Sequence, residues 1–510
     1  MRERYTRREL LKRASMTGAG ICLTSCAQTP PEQSAGNASR KKAPSSEKSG
    51  AAQNPKPPQD LAPAVNTPLT PEPVSDNVTF LQQGEPQYEA LRQGFNRRIQ
   101  KRPRVIALCE NTQGVAEAVK YAVQNRLPIA IKSGGHSFEG FSSNDGGLVI
   151  NLSRMRSFAW VDRTTVNVGP ACTLSQLNPL LLAKHRLLPT GSCGSVGIGG
   201  LTLGGGYGFF SRKYGLTCDS LKAVTLVDGK GIVHHHGSRA DPELLWACRG
   251  GGNGNFGVVT EMIFHTHPAP TRFYSHRFSA APLDADRANR ILKRWFEISE
   301  RLPESCFSSY ILNGNHLFIL VTDWEAPAKP LQGALKELRV ITDDATPGRP
   351  REIASALEAY YGTTTPIYFK NSSAGSYEGY EDIRGCIEAV LGRVVSRPGL
   401  IFQVSALGGN IAKAEFARAS CYPHRSRPFL AELQSYWNTP HQEGQLIERC
   451  RDIQRLFQQN GVTAHYANYP NAEFEHWQQA YYGESYPRLQ AVKRTYDPEN
   501  SFRYEQSIRP

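Results

Sequence analysis

With 510 residues, the chain exceeds the roughly 250–300 at which one hydrophobic core stops growing, so at least two folded units are expected. Hydrophobic residues at 39% and charged ones at 21% exclude a membrane bundle and a wholly disordered chain. The net charge is +13, but residues 1–26 hold six Arg/Lys against two Glu. The +9 that remains is dispersed and lacks basic runs interleaved with aromatics, so no nucleic-acid partner is expected.

In chain order, Thr6-Arg7-Arg8-Glu9-Leu10-Leu11-Lys12 matches a twin-arginine export signal and runs into a mildly apolar stretch, Ala14 to Ser25. That stretch is too short and too weakly apolar for a permanent span of about 20 residues. Leu23-Thr24-Ser25-Cys26 reads as a lipobox, with Cys26 the lipidated first residue; an ordinary cleaved signal with a chance cysteine is the alternative. The expected destination is the periplasm or cell surface, reached folded, with a lipid anchor to the membrane. Residues 27–77 contain ten prolines and no aromatic residue. They cannot bury enough apolar surface to offset ordering, so a disordered tether is expected.

Mixed helix and strand signals follow. Arg104 to Leu108, Pro128 to Lys132, Gly147 to Asn151, Thr165 to Val168 and Val258 to His265 read as strands. Thr112 to Asn125 carries Val115, Ala118, Val119, Ala122 and Val123 on one helical face, and Thr173 to His185 reads as a second helix. Leu221 to His234 reads as a hairpin turning at Asp228-Gly229. Over 271–461, amphipathic helices are expected at Asp284 to Arg301, Leu331 to Ile341, Lys413 to Ala419 and His441 to Gln459. Strands at Ser308 to Leu312, His316 to Thr322 and Leu400 to Val404 lie between them. This predicts an α+β layer, one sheet covered on one face by helices.

Two glycine turns carry the chemistry. Ser133-Gly134-Gly135-His136-Ser137 and Gly191-Ser192-Cys193-Gly194 each place a nucleophile where missing Cβ atoms let a flat cofactor approach the backbone. Together they point to a flavin held by two covalent bonds. Gly197, Gly199, Gly200, Gly204, Gly205 and Gly206 form no Rossmann fingerprint, since no clean parallel strand feeds them. Their backbone amides suit a pyrophosphate instead. The eleven cysteines include no CxxC pair, which argues against a zinc ribbon, and folding before export argues against a disulfide framework. His234-His235-His236 cannot converge on one ion, because neighbouring strand residues face opposite ways. No metal site is expected.

Ser133-Gly-Gly-His136-Ser, Cys193-Gly-Ser-Val-Gly197, Gly204-Gly-Gly-Tyr-Gly208 and Asp241 to Gly257 resemble the FAD-binding domain of the vanillyl-alcohol-oxidase (PCMH-type) superfamily. Tyr466-Ala-Asn-Tyr469-Pro, Trp477, Tyr481 to Glu484, Tyr496 to Phe502 and Gln506 to Ile508 resemble its berberine bridge enzyme-like branch. The resemblance implies an α+β architecture: a two-subdomain FAD-binding domain over 78–270, completed by 462–510, and a substrate domain over 271–461 with a helix-covered antiparallel sheet. It implies FAD bonded through its 8α-methyl to His136 and through ring carbon 6 to Cys193. Ser133, Gly134, Gly135, Ser137, Val196, Gly197, Gly199, Gly200, Gly205, Gly206, Val259 and Asn500 would contact the cofactor. Val196 resembles the small residue that admits dioxygen, and Tyr469, Tyr466 and Tyr207 resemble the family's catalytic tyrosine region. A phenol with its ordinary pKa of about 10 is a poor base at neutral pH, so a nearby charge or hydrogen bond is expected to lower it.

Two departures stand out. Phe138 replaces a tyrosine of several relatives, and Ile401 to Gly409 lacks a carboxylate found in some, leaving Gln403 as the nearest polar group. The expected function is a flavin oxidase that converts a sugar or secondary-metabolite alcohol with dioxygen as acceptor and hydrogen peroxide as product. The alternatives are a dehydrogenase using another acceptor, or a catalytically silent flavin- or carbohydrate-binding surface lipoprotein.

Overall fold

In the computed structural model, the described residues are 69, 70, 72, 75–237, 241–325 and 329–510. The twin-arginine stretch, Cys26 and nearly all of the expected tether lie outside them. No helix among the described residues is long and apolar enough to cross a membrane.

Short apolar runs build the first half. Val105–Cys109 and Leu148–Asn151 are buried throughout, as strands covered on both faces must be. They form a four-stranded sheet in the order Val78–Gln82, Val105–Cys109, Leu148–Asn151, Ile129–Lys132, whose last two pairings are parallel. The Thr112–Gln124 helix, capped by the Asn111 side chain on the Gly114 amide, packs on this sheet. An antiparallel five-stranded sheet follows, in the order Phe158–Trp160, Thr165–Val168, Val258–His265, Leu221–Val227, Val233–Gly237. Its hairpin differs from the expected two-residue turn. Asp228 accepts the amides of Lys230 and Ile232 and holds a wider connection, with Gly231 at φ 75°. The expected Thr173–His185 helix ends earlier, at Leu182, where the Lys184 and His185 amides tighten onto the Leu181 and Leu182 carbonyls and His185 turns left-handed at φ 54°.

The second half is an antiparallel sheet in the order Asp344–Thr346, Arg272–Ala280, His316–Asp323, Phe307–Asn313, Leu400–Ala406, Phe429–Trp437, Tyr368–Tyr377, with Arg351–Glu352 pairing at the Arg272 end. Side chains alternate between its two faces. On one face, Tyr310, Phe402, Ala431 and Leu433 pack under the helices Ala285–Glu300, Ile387–Val395 and Glu443–Gln459. On the other, Phe307, Ile311, Phe369, Leu430 and Tyr436 meet Phe138, Tyr207 and Tyr469 from outside the sheet. The free edge of the Tyr368–Tyr377 strand is also used. The Ser373 and Ser376 amides donate to the Tyr469 and Ala464 carbonyls, and Asn96 bridges to Ile367. An edge that would otherwise attract another chain therefore fixes the segment carrying Tyr469.

Candidate active site

The strand Ile129–Lys132 runs straight into the His136 turn, and Gly135 takes φ 72°, a conformation glycine adopts freely. The His136 ring stacks on Phe95 with centroids 4.2 Å apart, and it hydrogen-bonds the Ser195 backbone. Burial pushes its pKa down against a smaller upward push from Cys193, so the imidazole is neutral and its nitrogen lone pair is available.

The Cys193 turn is fastened to the start of the Leu174–Leu182 helix. Leu174 and Ser175 amides donate to the Val196 and Gly194 carbonyls, at 3.0 and 2.9 Å. The two turns then meet backbone to backbone. A Cβ on Gly134 would lie 2.4 Å from the Gly197 nitrogen, and one on Gly197 would lie 2.8 Å from the Gly134 nitrogen. Only glycine permits that approach from either side. His136 and Cys193, the latter with its sulfur 3.6 Å from the Ser195 hydroxyl, thus line one cleft of about 1500 Å³, open mouth included.

Ser133, Gly134, Gly135, Ser137, Val196, Gly197, Gly199, Gly200 and Val259 line the same cleft. Gly205, Gly206, Gln403 and Asn500 do not, and each has a physical reason. The Gly205 amide is spent on the Thr202 carbonyl, and the Gly206 amide on the Tyr466 hydroxyl at 2.8 Å. Gln403 lies on the sheet face behind the tyrosines. Asn500 takes φ 52° in the turn that brings Ser501 and Phe502 beside Ile129. Gly199 lines the cleft, but its amide bonds the Pro170 carbonyl. Of the glycine amides expected to hold a pyrophosphate, those of Gly199, Gly205 and Gly206 are therefore taken. Among the described residues, the amides of Gly134, Gly135, His136 and Ser137 take no acceptor from the chain. Such a run of bare amides suits an anion.

Tyr207, Tyr466 and Tyr469 converge on the cleft. The Tyr207 and Tyr469 hydroxyls are 2.8 Å apart. The Tyr466 oxygen accepts from the Gly206 amide and from Asn468 at 2.9 Å. The expected lowering of a phenol is not found: burial, foremost, pushes all three above the ordinary value, and the Glu432 charge adds to the rise at Tyr207 and Tyr469. Sequence reasoning missed Glu432. It is 1% exposed on the Phe429–Trp437 strand and pairs in register with Gln403. A carboxylate thus stands beside Gln403 on the neighbouring strand. Phe138 stacks on Tyr469, centroids 5.4 Å apart and planes within 9°.

A buried charge cluster sits behind this stack. Glu139 pairs with Lys370 and, at 2.8 Å, with Arg98; Lys370 also donates to Asn471 at 2.9 Å. It ties the His136 turn, the sheet and the Tyr469 segment together. On the outer hairpin, His234 pairs with Asp228 and His235 with Thr225. Among the described residues, no group of three or more His, Cys, Asp or Glu could hold a metal, and the nine cysteines there are buried and form no disulfide.

Residues 103–237 match the model of an FAD-binding domain, and residues 465–509 match that of a berberine and berberine-like segment. The chain thus carries an FAD-binding domain and a berberine-like C-terminal segment, and its relatives are FAD-linked oxidoreductases. The chain is 29% identical over 446 residues to an uncharacterized FAD-linked oxidoreductase, YgaK, of Bacillus subtilis (strain 168), covering 84% of this chain and 95% of the relative. It is 29% identical over 454 residues to (R)-6-hydroxynicotine oxidase of Paenarthrobacter nicotinovorans, covering 83% and 94%. A solved chitooligosaccharide oxidase superposes with a TM-score of 0.78 at 26% identity, covering 85% of this chain and 97% of the other. The residues of the cleft fit FAD. The bare amides of the His136 turn suit its pyrophosphate, and at Gly200, where an added Cβ would meet nothing within 4 Å, the wall is open backbone.

Proposed function

We propose that FAD is bonded in this cleft to both His136 and Cys193, and that the enzyme oxidises an alcohol, a sugar or secondary-metabolite hydroxyl, with dioxygen as acceptor. The observation that carries the reading is that a neutral imidazole and a thiol face one cleft from two turns locked together at Gly134 and Gly197. When bound, FAD supplies a hydride acceptor and returns the two electrons to dioxygen, giving hydrogen peroxide. The Tyr469 hydroxyl, backed by Tyr207, orients the substrate hydroxyl. Glu432 receives the proton lost from that hydroxyl, passed through the paired phenols. Val196, half-buried in the cleft wall, leaves room for dioxygen. The solved chitooligosaccharide oxidase supports a carbohydrate substrate.

A dehydrogenase using another acceptor remains the competing activity. The silent-lipoprotein reading rested on Phe138 and on a missing carboxylate, and Glu432 removes the second motive. Export by the twin-arginine route and anchoring at Cys26 belong to the same proposal. The test is anaerobic mixing with a panel of mono- and oligosaccharides. The flavin should bleach with at least one of them, and air should restore its colour with stoichiometric peroxide. Bleaching without reoxidation by air would favour the dehydrogenase; no bleaching across the panel would reject a sugar alcohol as substrate.

A further inference from the structure

The site-facing side of the sheet holds a closed hydrogen-bonded ring around Glu432. Asn371 comes from the Tyr368–Tyr377 strand, and Glu432, Gln434 and Tyr436 are alternate residues of the strand beside it. Asn371 Nδ2 donates to Glu432 Oε1 at 3.3 Å and to the Tyr436 hydroxyl at 2.9 Å. That hydroxyl donates to Gln434 Oε1 at 3.1 Å. Gln434 Nε2 closes the ring on Glu432 Oε2 at 3.1 Å and also reaches Gln403 Oε1 at 3.2 Å.

A backbone donor fixes the orientation of the Asn371 amide. The Ser435 backbone N–H can only donate, and it meets Asn371 Oδ1 at 3.2 Å. The Asn371 amide therefore turns its NH₂ into the ring. The Tyr436 hydroxyl accepts from Asn371 and donates to Gln434 Oε1, and the Gln434 NH₂ faces Glu432, the orientation that keeps the amide carbonyl away from the carboxylate. Both carboxylate oxygens thus receive N–H donors, an arrangement that favours the ionised form, whereas burial favours the neutral one. The titratable groups facing Glu432 are the Tyr207 and Tyr469 phenols from the other side of the cleft and Tyr436 on its own strand.

We propose that Asn371, Gln434 and Tyr436 are positioning residues whose ring keeps Glu432 ionised beside the Tyr207–Tyr469 pair at neutral pH. The proposal rests on the reading of Glu432 as proton acceptor, but its test needs no substrate. The carboxylic-acid C=O stretch of the holoenzyme is followed by infrared difference spectroscopy as pH falls, and the band missing from Glu432→Gln is assigned to Glu432. In the unsubstituted enzyme this band should appear only well below neutral pH. Removing one donor in Gln434→Leu should move its midpoint up by about one pH unit. Tyr436→Phe, which deletes a single oxygen and keeps the ring volume, should move it in the same direction by less. An unmoved midpoint in Tyr436→Phe and Gln434→Leu, or a band already present at neutral pH, overturns the proposal. Substrate-driven flavin reduction at full rate in Glu432→Gln would instead overturn the proton-acceptor role, leaving the ring's titration to stand or fall separately.

Discussion

Tyr469 cannot act alone as a base. It is buried, hydrogen-bonded to another phenol and close to a carboxylate, and each of these influences raises its pKa. Its hydroxyl is better suited to passing a proton than to holding a negative charge. Tyr469→Phe should therefore slow anaerobic flavin reduction about 10²- to 10⁴-fold, leaving the flavin spectrum and the melting temperature nearly unchanged. A loss under tenfold would remove Tyr469 from the proton path. Tyr207, Tyr466 and Tyr469 were legible through the resemblance carried by Gly204 to Gly208 and Tyr466 to Pro470, and all three line the cleft. Glu432 was not. Ala431-Glu432-Leu433-Gln434 alternates as a strand with one solvated face would, yet Phe429–Trp437 is buried at every position, and the Glu432 partner Asn371 comes from a separate strand far earlier in the chain.

Among the elements, the two nucleophile turns were readable from glycine spacing, but their mutual contact was not, since nothing local in either turn encodes the other. The contact makes a sharp prediction. Gly134→Ala would drive a Cβ to 2.4 Å from a backbone nitrogen, where no side chain can move aside, at about 1–3 kcal/mol. Thermal melts should show that loss, together with less flavin per polypeptide. Gly200→Ala, with open space at its Cβ, should leave the melt unchanged; equal effects from both would refute the locked-turn geometry. The strands Val105–Cys109 and Leu148–Asn151 were legible as apolar runs. Tyr368–Tyr377 was not, because Lys370, Asn371, Ser372, Ser373 and Ser376 are polar yet buried. Burial of Lys370, Asn371, Ser372 and Ser373 is tolerated because Glu139, Glu432, Gln454 and the Tyr466 amide satisfy their side chains, and those partners are distant in sequence.

At the scale of the whole molecule, the α+β class and the helix-covered sheet followed from periodicity. The way the two halves close over the cleft did not. Arg98, Glu139, Lys370 and Asn471 come from four separate segments, and the aromatic layer of Phe138, Phe369, Tyr436 and Tyr469 interleaves both halves. All of it surrounds one cleft with His136 and Cys193 in its wall. The account stands on flavin being joined to both side chains, and peptide mass analysis of the acid-denatured holoenzyme tests that most directly. The predicted result is a yellow precipitate whose digest yields one flavin cross-linking the His136 and Cys193 peptides. Flavin released wholly into the supernatant, or carried by neither peptide, would contradict it.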